Sequence, residues 1–165
     1  MRAYLDIETS FAQSISVIGI YRPDCGGIQL VGGGVSDLNL YEALAEVTTI
    51  VTFNGSSFDL PHIKRRLMAD LRAEFAHRDL LHDCRRLGLR GGLKVVEQRL
   101  GIARTSAGLS GRDAPLLWDR YEQHGDKTAL DTLLVYNYED VYNLALLEAI
   151  LDHRSPDPRA LVCAF

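Results

Sequence analysis

Residues whose types and spacing suit metal chemistry occur at three separate places in the sequence. Asp6 and Glu8 lie two residues apart in an apolar segment, so on an extended strand their side chains leave the same face. Asp59 follows the apolar segment TTIVTF and a short turn, near the start of a predicted helix. Tyr136 and Asp140 are four residues apart in a long predicted helix and therefore share one of its faces.

Each of these patterns also has a purely structural explanation. A lone Asp-x-Glu is equally typical of a solvated strand end, and Asn54, Ser57 and Asp59 are residue types that cap helices. If the long helix is rotated slightly, Asp140 faces solvent and Tyr136 is half-buried. Taken one at a time, the three places leave these alternatives open.

Taken together, the four acids indicate one shared site. A first strand, a strand-to-helix turn and a late helix can converge at the sheet edge where ligands bind in open α/β folds. Clustered carboxylates repel one another unless a cation lies between them. Two Mg²⁺ or Mn²⁺ ions about 3.5–4 Å apart need such oxygen ligands to hydrolyse a phosphodiester. We therefore predict a two-metal phosphodiester hydrolase. A zinc site is not predicted, because the histidines form no HxxxH or HExxH motif that would hold zinc.

The elements that must position these acids are predicted in the order βββαβα, followed by further helices. We expect strands over residues 2–7, 14–21, 27–31 and 48–53, and a short fifth strand with a helical turn over 80–87. We expect helices from Asp37 or Asn39 to 46 and over 57–71, 93–100, 114–124 and 126–152. The predicted fold class is α/β, with a five-stranded mixed sheet: a three-stranded antiparallel meander plus parallel strands, flanked by helices.

The composition is that of one globular domain. The chain has 165 residues, of which 47% are hydrophobic and 24% charged. We expect a single domain over residues 1–153 and an apolar C-terminal tail over 154–165. The apolar runs fall short of the ~20 residues that span a bilayer, and the acidic N-terminus is unlike a signal peptide. The three cysteines lack CxxC spacing, so we expect a cytoplasmic protein without a membrane segment.

Charge is unevenly distributed along the chain, although the formal net charge is only −4. Residues 61–104 contain 11 basic and 5 acidic residues, and the rest of the chain contains 7 and 17. This basic middle segment can bind phosphate, but the pattern is also typical of solvated helix faces. Lys94 in this segment is a candidate nucleic-acid contact, and an exposed helical lysine explains it as well.

At these residues the sequence resembles a known group of enzymes. YLDIET, FNGSSFDLP and YNYED are similar to the three exonuclease motifs of the DEDD superfamily, which has the ribonuclease H-like fold. The Tyr-x3-Asp spacing of the third motif resembles the DEDDy branch. The second motif, with the basic helix after it, is similar to the proofreading domains of B-family DNA polymerases. The chain as a whole, including LHDCRRLGLRGGLKVVEQRLGI, most closely resembles the YprB-like ribonuclease H-fold domain family.

The resemblance implies a role for each acid. Asp6 would bridge the two metal ions, and Glu8 and Asp140 would complete the site of the nucleophile-side ion. Asp59 would hold the second ion, directly or through water. Tyr136 would orient the attacking water.

The resemblance also implies a reaction and a substrate. We expect a metal-dependent 3′–5′ exonuclease that uses Mg²⁺ or Mn²⁺ on single-stranded DNA or RNA ends, with Asn54 and Phe58 shaping the site or contacting the terminal nucleotide. The sequence leaves two alternatives: a weakly active or inactive nucleic-acid-binding module of the same fold, and an endonuclease. It predicts no particular protein partner.

Overall fold

The computed structural model describes residues 1–106 and 108–154. The strands are β1 (Arg2–Thr9), β2 (Ile15–Arg22), β3 (Gly26–Val31), β4 (Thr49–Thr52) and β5 (Ala76–Asp79). The helices are α1 (Asp37–Ala43), α2 (Asp59–Leu67), α3 (Leu71–Glu74), α4 (Leu80–Arg86), α5 (Leu93–Leu100), α6 (Ala114–His124) and α7 (Lys127–Arg154). The predicted apolar tail lies outside the described residues from position 155 onward. No described helix has the length and hydropathy needed to cross a bilayer.

The five strands form one mixed sheet in the order β3-β2-β1-β4-β5. β2 pairs antiparallel with both β1 and β3, which makes the predicted meander. β4 pairs parallel with β1, and β5 pairs parallel with β4. The predicted fold class is therefore confirmed, and β1 occupies the centre of the sheet.

The alternation of side chains along β1 separates the core from the site. Leu5 and its neighbours on one face pack in a cluster with Leu40 of α1 and Ile63 of α2. Tyr4 on the opposite face packs with Leu144 and other residues of α7. Because side chains alternate along a strand, Asp6 and Glu8 share the face of Tyr4 and are directed toward α7.

The predicted fifth strand was misplaced. β5 covers Ala76–Asp79, and residues 80–86 form α4 instead of a strand. The Asp79 carboxylate accepts a hydrogen bond from the Leu81 amide at 3.1 Å and so caps the helix. Leu80 and Cys84, one helical turn apart, are both fully buried, which a helix achieves on one face.

Other boundaries also differ from the prediction: α1 ends at Ala43 instead of residue 46, and α2 begins at Asp59 instead of residue 57. α2 ends at Leu67, four residues early, because Met68 adopts a left-handed conformation with φ 58°. The cap of α1 is neither Asp37 nor Asn39: the Ser36 hydroxyl accepts from the Asn39 amide at 3.2 Å. The helices predicted over 93–100 and 114–124 are confirmed with the same bounds.

A buried ionic network fixes α7 against the sheet. Glu148 of α7 is 3% exposed and accepts a hydrogen bond from the Tyr4 hydroxyl at 2.7 Å. Its other oxygen accepts from Arg78 of β5 at 2.8 Å, and Arg78 also pairs with Asp83 and Asp152. The network connects α7 to β1 and β5, and thereby sets the position of the helix that carries Tyr136 and Asp140.

We expect Tyr4→Phe to lower the free energy of unfolding by about 1.5–3 kcal/mol, since it removes a buried hydrogen bond to a charged acceptor. Urea denaturation measures this. Tyr41→Phe is the matched control, because the Tyr41 hydroxyl also donates to a carboxylate, Glu74 at 2.6 Å, but at an exposed position. Equal losses in the two variants would contradict the structural role given to the buried network.

Candidate active site

Three carboxylates converge where α7 crosses the centre of the sheet. One oxygen from each of Asp6, Glu8 and Asp140 lies within 4.8 Å of the others. Glu8 and Asp140 are each 6% exposed. The structure thus excludes both the solvated strand end and the rotated helix with Asp140 in solvent. β1 also continues to Thr9, so both acids lie within the strand and not beyond it.

Close packing between β2 and α7 orients the side chain of Asp6. Asn137 donates a hydrogen bond from its side chain to Asp6 at 3.2 Å and accepts one from Gln29 at 3.0 Å. Asn137 lies over Gly19, which is the β2 partner of Asp6. A Cβ at Gly19 would lie 2.3 Å from the Asn137 side-chain oxygen, so only glycine permits this approach. Asn137 belongs to the third motif, but the sequence assigned it no role.

Asp59 enters the site from the first turn of α2. Its Oδ1 accepts a hydrogen bond from the backbone amide of Ile7 at 3.0 Å, and the residue is 3% exposed. Its carboxylate therefore faces β1, and the residue at the cap position, Phe58, makes no side-chain capping bond. Among the described residues, Asp59 lies outside the group of three acids within 4.8 Å but lines the same cavity.

The turn before Asp59 is held by Asp79, a residue that the sequence did not single out. Asp79 at the end of β5 accepts hydrogen bonds from the backbone amides of Asn54 at 2.7 Å and Ser56 at 3.0 Å. It also accepts from the Ser56 hydroxyl at 2.6 Å. Asn54 has φ 66°, a left-handed conformation that asparagine tolerates better than most residues. These bonds hold the turn between β4 and α2.

All five predicted catalytic positions line one cavity of about 230 Å³. They are Asp6, Glu8, Asp59, Tyr136 and Asp140, and Asn54 and Phe58 line the same cavity. Tyr136 is 5% exposed, whereas Phe58 is 38% exposed and packs on His62 with ring centroids 4.5 Å apart. The cavity is therefore acidic in its interior and aromatic on an accessible side.

Two cations lie beside the carboxylates. The Lys94 ammonium is 3.7 Å from the centre of the Tyr136 ring and donates to the Leu109 carbonyl at 2.6 Å. Lys94 is only partly exposed, so it is not the freely solvated lysine that the alternative explanation required. Arg104 pairs with Asp140 and Glu97, and sequence reasoning missed it because its segment, between α5 and α6, shows no periodic pattern.

Burial and mutual repulsion dominate the electrostatics of the acids. Burial raises the pKa of Asp6 well above its usual range, and the charges of Asp140 and Glu8 raise it further. The pKa of Glu8 is raised in the same way, first by burial and then by Asp140. Burial raises the pKa of Asp59 to about 7, against the opposing effect of the Ile7 hydrogen bond. Burial also raises the pKa of Asp140, although Arg104 opposes the shift.

The ligand atoms of this cluster suit a hard divalent cation. Among the described residues, the ligand atoms that Asp6, Glu8 and Asp140 bring together are carboxylate oxygens, and Mg²⁺ and Mn²⁺ prefer oxygen ligands. A cation among the acids would offset the repulsion that raises their pKa values. The residues present therefore fit the divalent ions that the sequence motifs imply.

Comparisons with known proteins agree with this fold. The family model of the RNase_H superfamily matches residues 3–152. The uncharacterized protein YprB of Bacillus subtilis (strain 168) is 34% identical over 125 residues, which cover 68% of this chain and 30% of that protein. The family B DNA polymerase of the hyperthermophilic archaeon Pyrobaculum calidifontis superimposes with a TM-score of 0.69 at 17% identity, over 92% of this chain and 24% of the polymerase.

The chain belongs to the RNase_H superfamily, and its sheet and helices form a ribonuclease H-like fold. The resemblance to the YprB-like family is confirmed by the identity to the Bacillus protein. The chain spans less than a third of the length of each of these two proteins. The chain therefore has the ribonuclease H-like nuclease fold, and that fold brings Asp6, Glu8 and Asp140 into one acidic cluster.

We expect Asp59→Asn to gain stability relative to the wild type as pH rises, in the presence of a chelator. The pKa of Asp59 is raised from 3.8 to about 7, so the folded wild type retains a proton that the unfolded chain releases. The stability that this proton contributes is complete below pH 4 and is lost as pH rises toward 7, at about 1.4 kcal/mol per pH unit. Denaturant unfolding at several pH values measures the difference between the two proteins.

The control for this measurement is Asp131→Asn, an exposed substitution on α7. A difference between Asp59→Asn and wild type that stays constant or decreases from pH 4 to pH 7 would contradict the burial of an ionisable Asp59.

Proposed function

We propose that this chain is a metal-dependent 3′–5′ exonuclease of the DEDDy type that acts on single-stranded DNA or RNA ends. The observation that carries the proposal is the convergence of Asp6, Glu8 and Asp140 in a cavity that Asp59 and Tyr136 also line. These residues come from the three motifs that resemble the DEDD superfamily. The RNase_H superfamily assignment supports a nuclease, and the Tyr-x3-Asp spacing on α7 supports this branch.

The acids of the cavity would hold two divalent ions, Mg²⁺ or Mn²⁺. Asp6 would contribute to both ions, Glu8 and Asp140 to the nucleophile-side ion, and Asp59 to the second ion, directly or through water. Bound ions of this kind supply an activated water and stabilise the leaving oxygen. The separation of Asp59 from the other three acids supports its assignment to a different ion.

Tyr136 would orient the attacking water through its hydroxyl. Its ring is fixed by burial and by the Lys94 ammonium over its face. Burial raises the pKa of the Tyr136 hydroxyl above its usual range, and the charge of Asp140 raises it further, so the group stays protonated at neutral pH. A protonated hydroxyl can both donate and accept a hydrogen bond, as a positioning group must.

The cavity favours the end of a single strand as the substrate. The acids are buried in the interior of this cavity, so the terminal nucleotide would have to leave any duplex in order to reach them. Phe58 is partly exposed and can stack on a base without regard to its identity. Asn54 would contact the same nucleotide, and Lys94 would lie near its phosphate.

We further propose that residues 1–153 form the nuclease domain and that the protein works in the cytoplasm. Within residues 1–106 and 108–154, Cys25 and Cys84 are free thiols, one exposed and one buried, which supports a reducing compartment.

We expect the purified protein to shorten a 5′-labelled single-stranded oligonucleotide stepwise in Mn²⁺ or Mg²⁺ and to be inactive in a chelator. The product ladder on a denaturing gel measures the direction of hydrolysis, and parallel DNA and RNA substrates identify the preferred nucleic acid. A circular single strand is the control, since it has no end to digest. Cleavage of the circle would contradict the exonuclease and support the endonuclease alternative.

We expect Asp140→Asn and Tyr136→Phe to fail in different ways. Asp140→Asn removes a proposed metal ligand and should abolish turnover and weaken Mn²⁺ binding. Tyr136→Phe removes only a hydroxyl, so the rate should fall by roughly 10²–10⁴-fold with Mn²⁺ binding unchanged. Single-turnover kinetics and calorimetry measure the two properties.

The matched controls are Asp131→Asn and Tyr138→Phe, which change exposed residues of the same helix. If Tyr136→Phe were as active as Tyr138→Phe while Asp140→Asn was inactive, the metal site would stand and the DEDDy assignment would be wrong.

A further inference from the structure

Arg104 is a buried cation in direct contact with the carboxylate cluster. It lies in the segment between α5 and α6, and its side chain is 7% exposed. Its Nε donates to Glu97 at 2.5 Å, and its Nη2 donates both to Glu97 at 2.7 Å and to Asp140. One guanidinium therefore joins α5 to the acid of the third motif.

Glu97 serves as the anchor of this arginine. Glu97 is 1% exposed, and within the described residues its two oxygens accept hydrogen bonds from Arg104 alone among side chains. A buried carboxylate is costly unless it is paired, so Glu97 and Arg104 depend on each other. The pair brings one positive and one negative charge to the edge of the cluster.

The pairing of Arg104 is incomplete on the remaining nitrogen. Nη1 is buried and has no hydrogen-bond partner among residues 1–106 and 108–154. Unpaired buried donors are rare in native proteins and call for an explanation beyond packing. The contact with Asp140 offers one, because it places the guanidinium charge next to a proposed metal ligand.

We propose that Arg104 is, beside Lys94, a resident counter-cation of the carboxylate cluster and that the Arg104–Glu97 pair helps to set the affinity of the site for divalent ions. Arg104 holds Asp140 in place when no ion is bound and offsets its repulsion with Asp6 and Glu8. The same positive charge opposes the entry of a divalent ion, and Glu97 reduces that opposition. Arg104 is thus a positioning residue, and this inference rests on the metal site of the proposed function.

The two members of the pair should change metal binding in opposite directions. Arg104→Gln removes a positive charge beside the cluster, so Mn²⁺ should bind more tightly and the metal-free protein should melt at a lower temperature. Glu97→Gln removes the negative charge that offsets Arg104, and Asp140 becomes the one carboxylate that pairs with Arg104. Mn²⁺ should therefore bind more weakly. We expect each change in the dissociation constant to be about tenfold, at the lower end of the effect of residues that contact metal ligands.

Isothermal calorimetry of Mn²⁺ binding, with melting temperatures in chelator, tests the proposal without an activity assay. Arg104→Lys keeps the charge and should bind Mn²⁺ nearly as the wild type does. The double variant Arg104→Gln/Glu97→Gln removes both charges and should return to near wild-type affinity. If Arg104→Gln alone does not fold, Glu97→Gln and the double variant still decide the question.

The controls are Arg120→Gln and Glu122→Gln, which change the same residue types at sites outside the cavity. If both single variants weaken Mn²⁺ binding, or neither alters it while the wild type binds, the pair is merely structural and the inference is wrong, although the proposed function stands. If the wild type binds no Mn²⁺, the inference and the metal site of the proposed function fail together.

Discussion

The repulsion among buried carboxylates is the constraint on which the rest of this structure depends. Asp6, Glu8 and Asp140 bring oxygens within 4.8 Å of one another in a largely buried site. Desolvation and like charge both disfavour their ionised forms, and both raise their pKa values. A fold that keeps such a group together must hold each acid from outside the cluster.

The surrounding structure supplies that support from several elements. Asn137, seated on Gly19, donates to Asp6, and the Ile7 amide donates to Asp59. Arg104 pairs with Asp140 from the segment between α5 and α6. At a greater distance, Glu148 and Tyr4 fix the long helix, and Asp79 fixes the turn before Asp59. These contacts therefore hold the acids, or the elements that carry them, in place despite the repulsion among the carboxylates, to which Asp79 adds a further negative charge near Asp59.

The sequence predicted most of the elements, and the strand and helix faces on which the acids lie, because both depend on local pattern. Alternation along β1 places Asp6 and Glu8 on one face, and the four-residue spacing of Tyr136 and Asp140 places both on one side of α7. The parallel pairing of β4 with β1 followed from the intervening helix and brought Asp59 to the same edge.

The parts that the sequence did not predict depend on contacts between distant segments. Arg104 and Asp79 act through partners 36 and 25 residues away, respectively, and no periodicity indicates such pairs. The early end of α2 depends on a left-handed Met68, which is unusual for that residue type. β5 was misplaced because the apolar residues after it, Leu80 and Leu81, are buried by a helix as readily as by a strand.

Crystals grown with Mn²⁺ and measured near the manganese absorption edge would show directly whether the carboxylates hold metal ions. We expect two anomalous peaks in the cavity, one among Asp6, Glu8 and Asp140 and one between Asp6 and Asp59. A single peak would contradict the two-metal mechanism and leave a site for one ion. A map without a peak beside these carboxylates at saturating Mn²⁺ would contradict the proposed metal site.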